Sequence, residues 1–155
     1  MPGLLIIAHA PLASALREVA QHTFPECARR LQAFDVTPDM SPEMIESSAG
    51  VLLAAVADPD ALILTDVVGA TPANVAVRLA GRETNNSACQ VKVIAGVNVP
   101  MLWRALGHAD DSIDRLVDCA GSGASEGVRV LTSTRPQNQA QKTGSHDQDA
   151  SQHQQ

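Results

Sequence analysis

A histidine and an aspartate each follow a short apolar run, which is a placement where side chains often do chemistry. His9 comes directly after residues 3–8, and Asp66 directly after Ala61–Thr65. Continuous apolar runs of this length are typical of buried strands in a parallel sheet. A carboxylate that accepts a hydrogen bond from one imidazole nitrogen fixes the tautomer and leaves the other nitrogen with a free lone pair. That lone pair can attack phosphorus, so the pair predicts a histidine that carries a phosphoryl group.

The turn that follows Asp66 could hold the oxygens of such a group. Thr71 and Pro72 have the pattern of a helix start, where free backbone amides and the positive end of the dipole attract anions. Gly69 would let the backbone approach closely. The Thr71 hydroxyl could either cap the helix or donate to a phosphoryl oxygen. Phosphoryl transfer needs mainly positioning and charge stabilisation, so this small set suffices in principle.

The elements that would position these residues alternate along the chain. The patterns predict strands over residues 3–8, 31–36, 61–65 and 90–95, and helices over 11–23, 42–56, 71–80, 101–106 and 112–120. Alternation of this kind predicts an α/β fold with a doubly wound, mostly parallel sheet in the order 2-1-3-4 and helices on both faces. Ligands bind such sheets where the strand order reverses, between strands 1 and 3. His9 and Asp66 fall at that point.

The 155 residues suit one domain, which we place at residues 1–134. Residues 127–131 could add a fifth strand. From residue 135 to 155 the chain is so polar that it predicts a disordered tail.

The composition argues against several classes of function. A net charge of −6 disfavours binding to nucleic acid or to an anionic membrane surface. The three cysteines form no CxxC pair, which disfavours a zinc or redox site. A secretion signal and a bilayer-spanning apolar segment are both missing from the sequence, so we expect a cytoplasmic protein without membrane insertion. A nucleotide or flavin module is disfavoured because no glycine-rich fingerprint follows strand 1 and aromatic residues make up 2%.

Each candidate residue also has a purely structural interpretation. His9 could be a polar loop residue, and Asp66 could cap a helix or form a turn. Thr71 and Pro72 could simply start a helix, and Asn98 could occupy a turn.

Four motifs together resemble the mannose-family enzyme IIA (EIIA-Man) of the bacterial phosphoenolpyruvate-dependent phosphotransferase system. They are IIAHAPL at residues 6–12, LTDVVGATPAN at 64–74, VIAGVNVPML at 93–102 and SEGVRVL at 125–131. The third motif is the most specific of the four. The resemblance covers about residues 3–131.

The resemblance implies that His9 takes a phosphoryl group from the phosphocarrier HPr and passes it to a IIB protein. Asp66 would orient and stabilise His9, and Thr71 would contact either the phosphoryl group or a network of hydrogen-bonded hydroxyls. Gly69, Pro72, Asn74 and Asn98 are the further binding residues that the motifs suggest. The family needs no metal or organic cofactor for this transfer. Its members are commonly homodimers, in some of which the last strand, here residues 127–131, crosses to the partner subunit.

Two other functions remain open at this point. The chain could be a regulatory phosphoprotein, in which the phosphorylation state of His9 controls a protein partner without sugar transport. It could also be the phosphoryl-donor subunit of a dihydroxyacetone kinase, which shares this domain type, although the stretch from Asp66 to Asn74 fits the mannose type better.

Overall fold

The computed structural model describes residues 1–86 and 89–132, along which strands and helices alternate. The strands are β1 (Gly3–His9), β2 (Leu31–Val36), β3 (Ala61–Thr65) and β4 (Val91–Ala95). The helices are α1 (Leu12–Thr23), α2 (Pro42–Val56), α3 (Thr71–Asn86), α4 (Val99–Gly107) and α5 (Ile113–Glu126), with one 3₁₀ turn at Cys27–Arg30.

The four strands form one parallel sheet in the order β2-β1-β3-β4, which confirms the predicted fold. In the central pair, Ile7 of β1 lies opposite Thr65 of β3. On the other side of β1, His9 lies opposite Val36 of β2. The carboxyl ends of these three strands therefore meet at the same edge of the sheet.

Alternate residues of the two central strands serve two separate cores. Leu4, Ile6, Leu62 and Leu64 pack with α1, α4 and α5 on one face, whereas Leu5, Ile7 and Ile63 pack with α2 and α3 on the other. All of these side chains are fully buried. Because both faces are covered, β1 and β3 need the continuous apolar runs seen in the sequence.

Side-chain oxygens accept hydrogen bonds from backbone N–H groups in the first turns of α1, α2, α4 and α5 and so help to fix where those helices begin. Ser41 accepts a hydrogen bond from the N–H of Met44 at 3.3 Å at the start of α2, and Ser112 does the same for Arg115 at 3.4 Å at the start of α5. Asp35 of β2 accepts from the N–H of Ser14 at 3.1 Å, in the first turn of α1. The sheet thereby helps to hold the α1 N-terminus close to the end of β1.

Three helices are longer than their sequence patterns predict. Helix α3 continues past residue 80 to Asn86, although its last turn is polar. Helix α4 begins at Val99 because Asn98 caps it, and Pro100 stands within its first turn. Helix α5 continues past residue 120 to Glu126, where Gly123 packs closely on α4: a Cβ at Gly123 would lie 2.4 Å from Cγ of Arg104.

Residues 127–131 form no strand in the described part of the chain. Val128, Val130 and Leu131 are instead 78%, 92% and 90% exposed. A strand needs a neighbour to satisfy its backbone groups, and no described strand pairs with this segment. The exchanged fifth strand stays a prediction. The predicted tail at 135–155 lies outside the described residues.

None of the helices within residues 1–86 and 89–132 combines the length and the apolar character that a membrane crossing requires.

Candidate functional site

The parallel pairing of β1 and β3 brings His9 and Asp66 into direct contact at the carboxyl edge of the sheet. Nδ1 of His9 lies 2.7 Å from Oδ2 of Asp66. The backbone N–H of His9 donates to the same oxygen at 2.9 Å. One carboxylate oxygen therefore holds both the main chain and the ring of His9. This is the juxtaposition that the sequence predicts, and the roles of the two residues stay a prediction.

The environment of Asp66 favours its ionised form. Burial alone would raise the pKa of this carboxyl, whose side chain is 9% exposed. Hydrogen bonds from the backbone N–H and ring of His9, and from the N–H of Val67 at 2.8 Å, outweigh burial and lower the pKa below its usual value. An ionised carboxylate only accepts hydrogen bonds, so Nδ1 of His9 must carry the proton. Nε2 is then the nitrogen with the free lone pair.

The ring of His9 is exposed to solvent, whereas the carboxylate of Asp66 that holds it is mostly buried. The His9 side chain is 54% exposed, compared with 9% for Asp66. A cavity of about 290 Å³ opens beside the ring, lined by His9, Val36, Thr37, Pro38, Met40 and Thr71. The site can therefore present a nucleophilic nitrogen to an incoming group on one side while a buried carboxylate stabilises the ring on the other.

The turn between β3 and α3 contains the residues that the sequence predicts to bind an oxyanion. Gly69 has a φ of +84°, in the region that favours glycine. Its carbonyl accepts a hydrogen bond from Nδ2 of Asn74 at 3.1 Å, which ties the turn to the first turn of α3. Thr71 is the first residue of α3 and is exposed in the cavity wall. Pro72 is buried, so it shapes the helix start and does not face the cavity.

Asn98 is engaged in structural hydrogen bonds. Its side-chain oxygen accepts from the N–H of Met101 at 2.8 Å, which caps α4. Its Nδ2 donates to the carbonyl of Ala124 at 3.3 Å, which links α4 to α5. Asn98 does not line the cavity at His9. A binding role for Asn98 stays a prediction, whereas its part in joining the two helices is evident.

The segment between β2 and α2 contributes cavity residues that the sequence analysis missed. Thr37, Pro38 and Met40 line the cavity together with His9 and Thr71. The available signal was positional: Thr37 directly follows a strand that neighbours β1 in the predicted order, so it had to emerge at the same edge of the sheet. Residue type gave no hint, because threonine and proline are common in loops.

The described residues offer no group of three His, Cys, Asp or Glu side chains that could hold a metal ion.

Comparison with known proteins points to one family. The EIIA-man family model, described as the PTS system fructose IIA component, matches residues 3–120. A search of curated protein sequences found no significant match.

Several solved structures share the fold. The phosphotransferase system component EIIA from Streptococcus agalactiae is 24% identical, covers 84% of this chain and 97% of its own, and gives a TM-score of 0.73. The mannose/sorbose specific IIA subunit from Enterococcus faecalis is 22% identical, covers 86% and 97%, and gives 0.76. A sigma-54 interaction domain protein from Enterococcus faecalis is 13% identical, covers 81% and 91%, and gives 0.65. At these identities the likeness concerns the fold alone.

Proposed function

The chain belongs to the EIIA-man family of phosphotransferase-system IIA components, and on that premise we propose that it is a cytoplasmic phosphoryl carrier with His9 as its acceptor. It would take the group from HPr and pass it to a separate IIB protein. The observation that carries the proposal is the contact of Asp66 with Nδ1 of His9, which leaves Nε2 free on an exposed ring.

The transfer can be written on these atoms. Nε2 of His9 attacks the phosphorus of a donor phosphohistidine, the new N–P bond forms, and the donor's N–P bond breaks. The donor ring, protonated at its other nitrogen, leaves as neutral imidazole. The His9 ring keeps its proton on Nδ1 and becomes positively charged. Asp66 stabilises that charge through the 2.7 Å hydrogen bond. Transfer to IIB is the same step in reverse direction with a different acceptor.

Thr71 and the α3 N-terminus are suited to bind the transferred group. The Thr71 hydroxyl lines the cavity, and the first amides of α3 lie at the positive end of a 16-residue helix. Gly69 and Asn74 hold the turn in the shape that exposes them. We assign Gly69 and Asn74 the role of positioning the hydrogen-bond donors. Thr71 would itself donate a hydrogen bond to the phosphoryl group.

The surface around His9 suits a protein partner. Val67 and Val68, in the turn next to Asp66, are 56% and 82% exposed. Exposed apolar side chains beside a polar reaction centre are typical of a protein docking surface. The chain's net charge of −6 favours a basic partner.

We also expect a homodimer. The outer edge of β4 is unpaired among the described residues, and the apolar residues of the segment 127–131 are exposed at the end of α5. An unpaired strand edge and an unpaired apolar segment satisfy each other when two copies exchange them.

The proposal is tested by incubating the full chain with phosphoenolpyruvate, enzyme I and HPr and measuring its intact mass. We expect a gain of one phosphoryl group that is acid-labile and alkali-stable. His9→Ala should abolish the gain, whereas His108→Ala should retain it; His108 is a matched control because its Nδ1 also contacts an aspartate, Asp111, at 2.9 Å. Wild-type protein that stays unmodified by a cognate HPr would exclude the carrier role.

The regulatory alternative differs only in where the phosphoryl group goes. The sigma-54 interaction domain protein shows that this fold is not confined to proteins described as transport components. Mixing the phosphorylated chain with the IIB proteins of the same genome separates the two. Rapid loss of the phosphoryl group to one IIB supports transport, and retention in the presence of all of them supports regulation.

A further inference from the structure

We infer that Thr37 is a second hydroxyl donor to the phosphoryl group on His9, on the opposite wall of the cavity from Thr71. The inference rests on the proposed function, because it names a further contact of the same group. It assigns a role to the β2–α2 segment, which no motif in the sequence singled out.

The sheet places Thr37 beside His9. His9 lies opposite Val36 in the parallel register of β1 and β2. The N–H of Ala10 donates to the carbonyl of Val36 at 3.0 Å, so the two chains stay paired where they leave the sheet. Val36 faces the core of α2 and α3, and strand alternation puts His9 on that same face. The ring of His9 therefore lies between the segment that begins at Thr37 and the start of α3.

The charge of the phosphoryl group requires donors on more than one side. A phosphoryl group bound to a ring nitrogen carries three peripheral oxygens and about two negative charges at neutral pH. None of the described residues that line this cavity is a lysine or an arginine. Hydroxyl groups and backbone amides must therefore supply the hydrogen bonds. Thr71 and the α3 amides serve one wall, and Thr37 is the residue with a donor side chain on the other.

In the unphosphorylated structure the Thr37 hydroxyl is committed elsewhere. Oγ1 of Thr37 donates to Oδ1 of Asp39 at 2.5 Å. That bond, with the backbone N–H of Asp39, lowers the pKa of the Asp39 carboxyl, which is ionised at neutral pH. The hydroxyl must rotate away from Asp39 to reach a phosphoryl oxygen. Water can replace it there, because Asp39 is exposed. Asp39 and the phosphoryl group thus compete for the hydrogen bond that the Thr37 hydroxyl can donate.

The competition makes two variants move in opposite directions. Thr37→Val removes the donor, and we expect phosphorylation of His9 by phospho-HPr to slow about tenfold. Removing one oxyanion donor slows reactions more strongly than this in enclosed sites. We expect a smaller effect here because this cavity is open to water. Thr37→Ser keeps the hydroxyl and should stay within about twofold of wild type. Asp39→Asn weakens the competing acceptor and should raise the rate about threefold, by the same reasoning.

The double variant decides whether the two residues act together. If Asp39 acts through the Thr37 hydroxyl, Asp39→Asn gives no increase in the Thr37→Val background. The readouts are the initial rate with phospho-HPr and the phosphorylated fraction of the full chain at a fixed ratio of phosphoenolpyruvate to pyruvate. Thr23→Val is the matched control, because the Thr23 hydroxyl donates to the carbonyl of Val19 within α1, at 3.0 Å.

The outcomes separate this inference from the proposed function. Wild-type protein that takes up no phosphoryl group overturns the carrier role itself. Wild-type protein that is phosphorylated, with Thr37→Val equal to it, overturns only the role of Thr37. Equal losses in Thr37→Val and Thr37→Ser would show that loop shape matters and the hydroxyl does not. If Thr37→Val melts early, an unchanged rate in Asp39→Asn still overturns the inference.

Discussion

Replacing Asp66 with asparagine tests the site most directly, because the side chain keeps its size and loses its charge. Oδ2 accepts from both the backbone N–H and Nδ1 of His9, and Oδ1 accepts from the N–H of Val67. An amide has one oxygen. If that oxygen faces His9, the NH₂ group confronts the N–H of Val67. If it faces Val67, the NH₂ group confronts both donors of His9, and the ring must change tautomer or move.

Either arrangement lets us work out a magnitude. At least one of the three hydrogen bonds is lost, and those that remain no longer have a charged acceptor. A hydrogen bond to a charged group contributes about 1.5–3 kcal/mol. We therefore expect Asp66→Asn to lower the free energy of unfolding by about 2 kcal/mol. A similar loss in the transition state, where the His9 ring gains positive charge, slows phosphorylation by about 30-fold.

The assay is a time course of intact mass with phospho-HPr, beside urea unfolding of the same preparations. Asp111→Asn is the matched control: Asp111 also contacts a histidine, His108, at 2.9 Å, but it lies in the loop between α4 and α5. That variant should be phosphorylated at the wild-type rate. A rate for Asp66→Asn within about threefold of wild type would refute the role given to the carboxylate, since at least one charge-assisted bond must be lost.

Three further predictions follow from the same structure. Because the pKa of Asp66 is lowered by folding, the stability gap between wild type and Asp66→Asn should stay constant above about pH 5 and close as pH falls through the lowered pKa, as acid titrations of urea midpoints would show. Gly3→Ala should lower the free energy of unfolding in urea by more than about 3 kcal/mol, because its Cβ would lie 2.1 Å from the carbonyl oxygen of Val56. The control Gly81→Ala in α3 would place a Cβ with nothing within 4 Å, and it should raise that free energy by about 0.5–1 kcal/mol. Asn98→Ala should lose about 1 kcal/mol of stability with its α4 cap and leave the phosphorylation rate unchanged, and a slower rate at full stability would instead assign Asn98 to binding.

The sheet could be predicted closely because its signals are local. Strands β2 and β3 and helix α2 have the predicted bounds, since apolar runs, Ser41 and Pro42 mark them within a few residues. Helices α3 and α5 extend beyond the ends that their sequence patterns predict. Their last turns are polar or small, and what continues the helix is contact with a neighbour, such as Gly123 against Arg104. Tertiary packing of that kind leaves no periodic signal in the sequence.

The candidate site also contains some residues whose placement the sequence predicts and others whose placement depends on tertiary structure. His9 and Asp66 could be paired from topology alone, since both follow strands that the predicted order makes adjacent. Pro72 and Asn98 were expected at the binding site because of the motifs they belong to, but Pro72 is buried and Asn98 caps a helix. Thr37 lies in no motif, and the sequence signals its place in the cavity beside His9 only through its position directly after β2, the predicted neighbour of β1.

The double use of Oδ2 by His9 also bears on the conformational entropy of that residue. Main chain and ring are tied to one oxygen, so χ1 and χ2 cannot change without breaking a bond. Freezing a side chain beforehand removes an entropic cost of up to about 1–2 kcal/mol that a free ring would meet at every transfer. It also fixes the line along which phosphorus must arrive and depart. Under the proposed function, donor and acceptor must therefore use the same approach and exclude each other. The donor and the acceptor then bind in turn. Raising the concentration of one of them should slow phosphoryl transfer with the other.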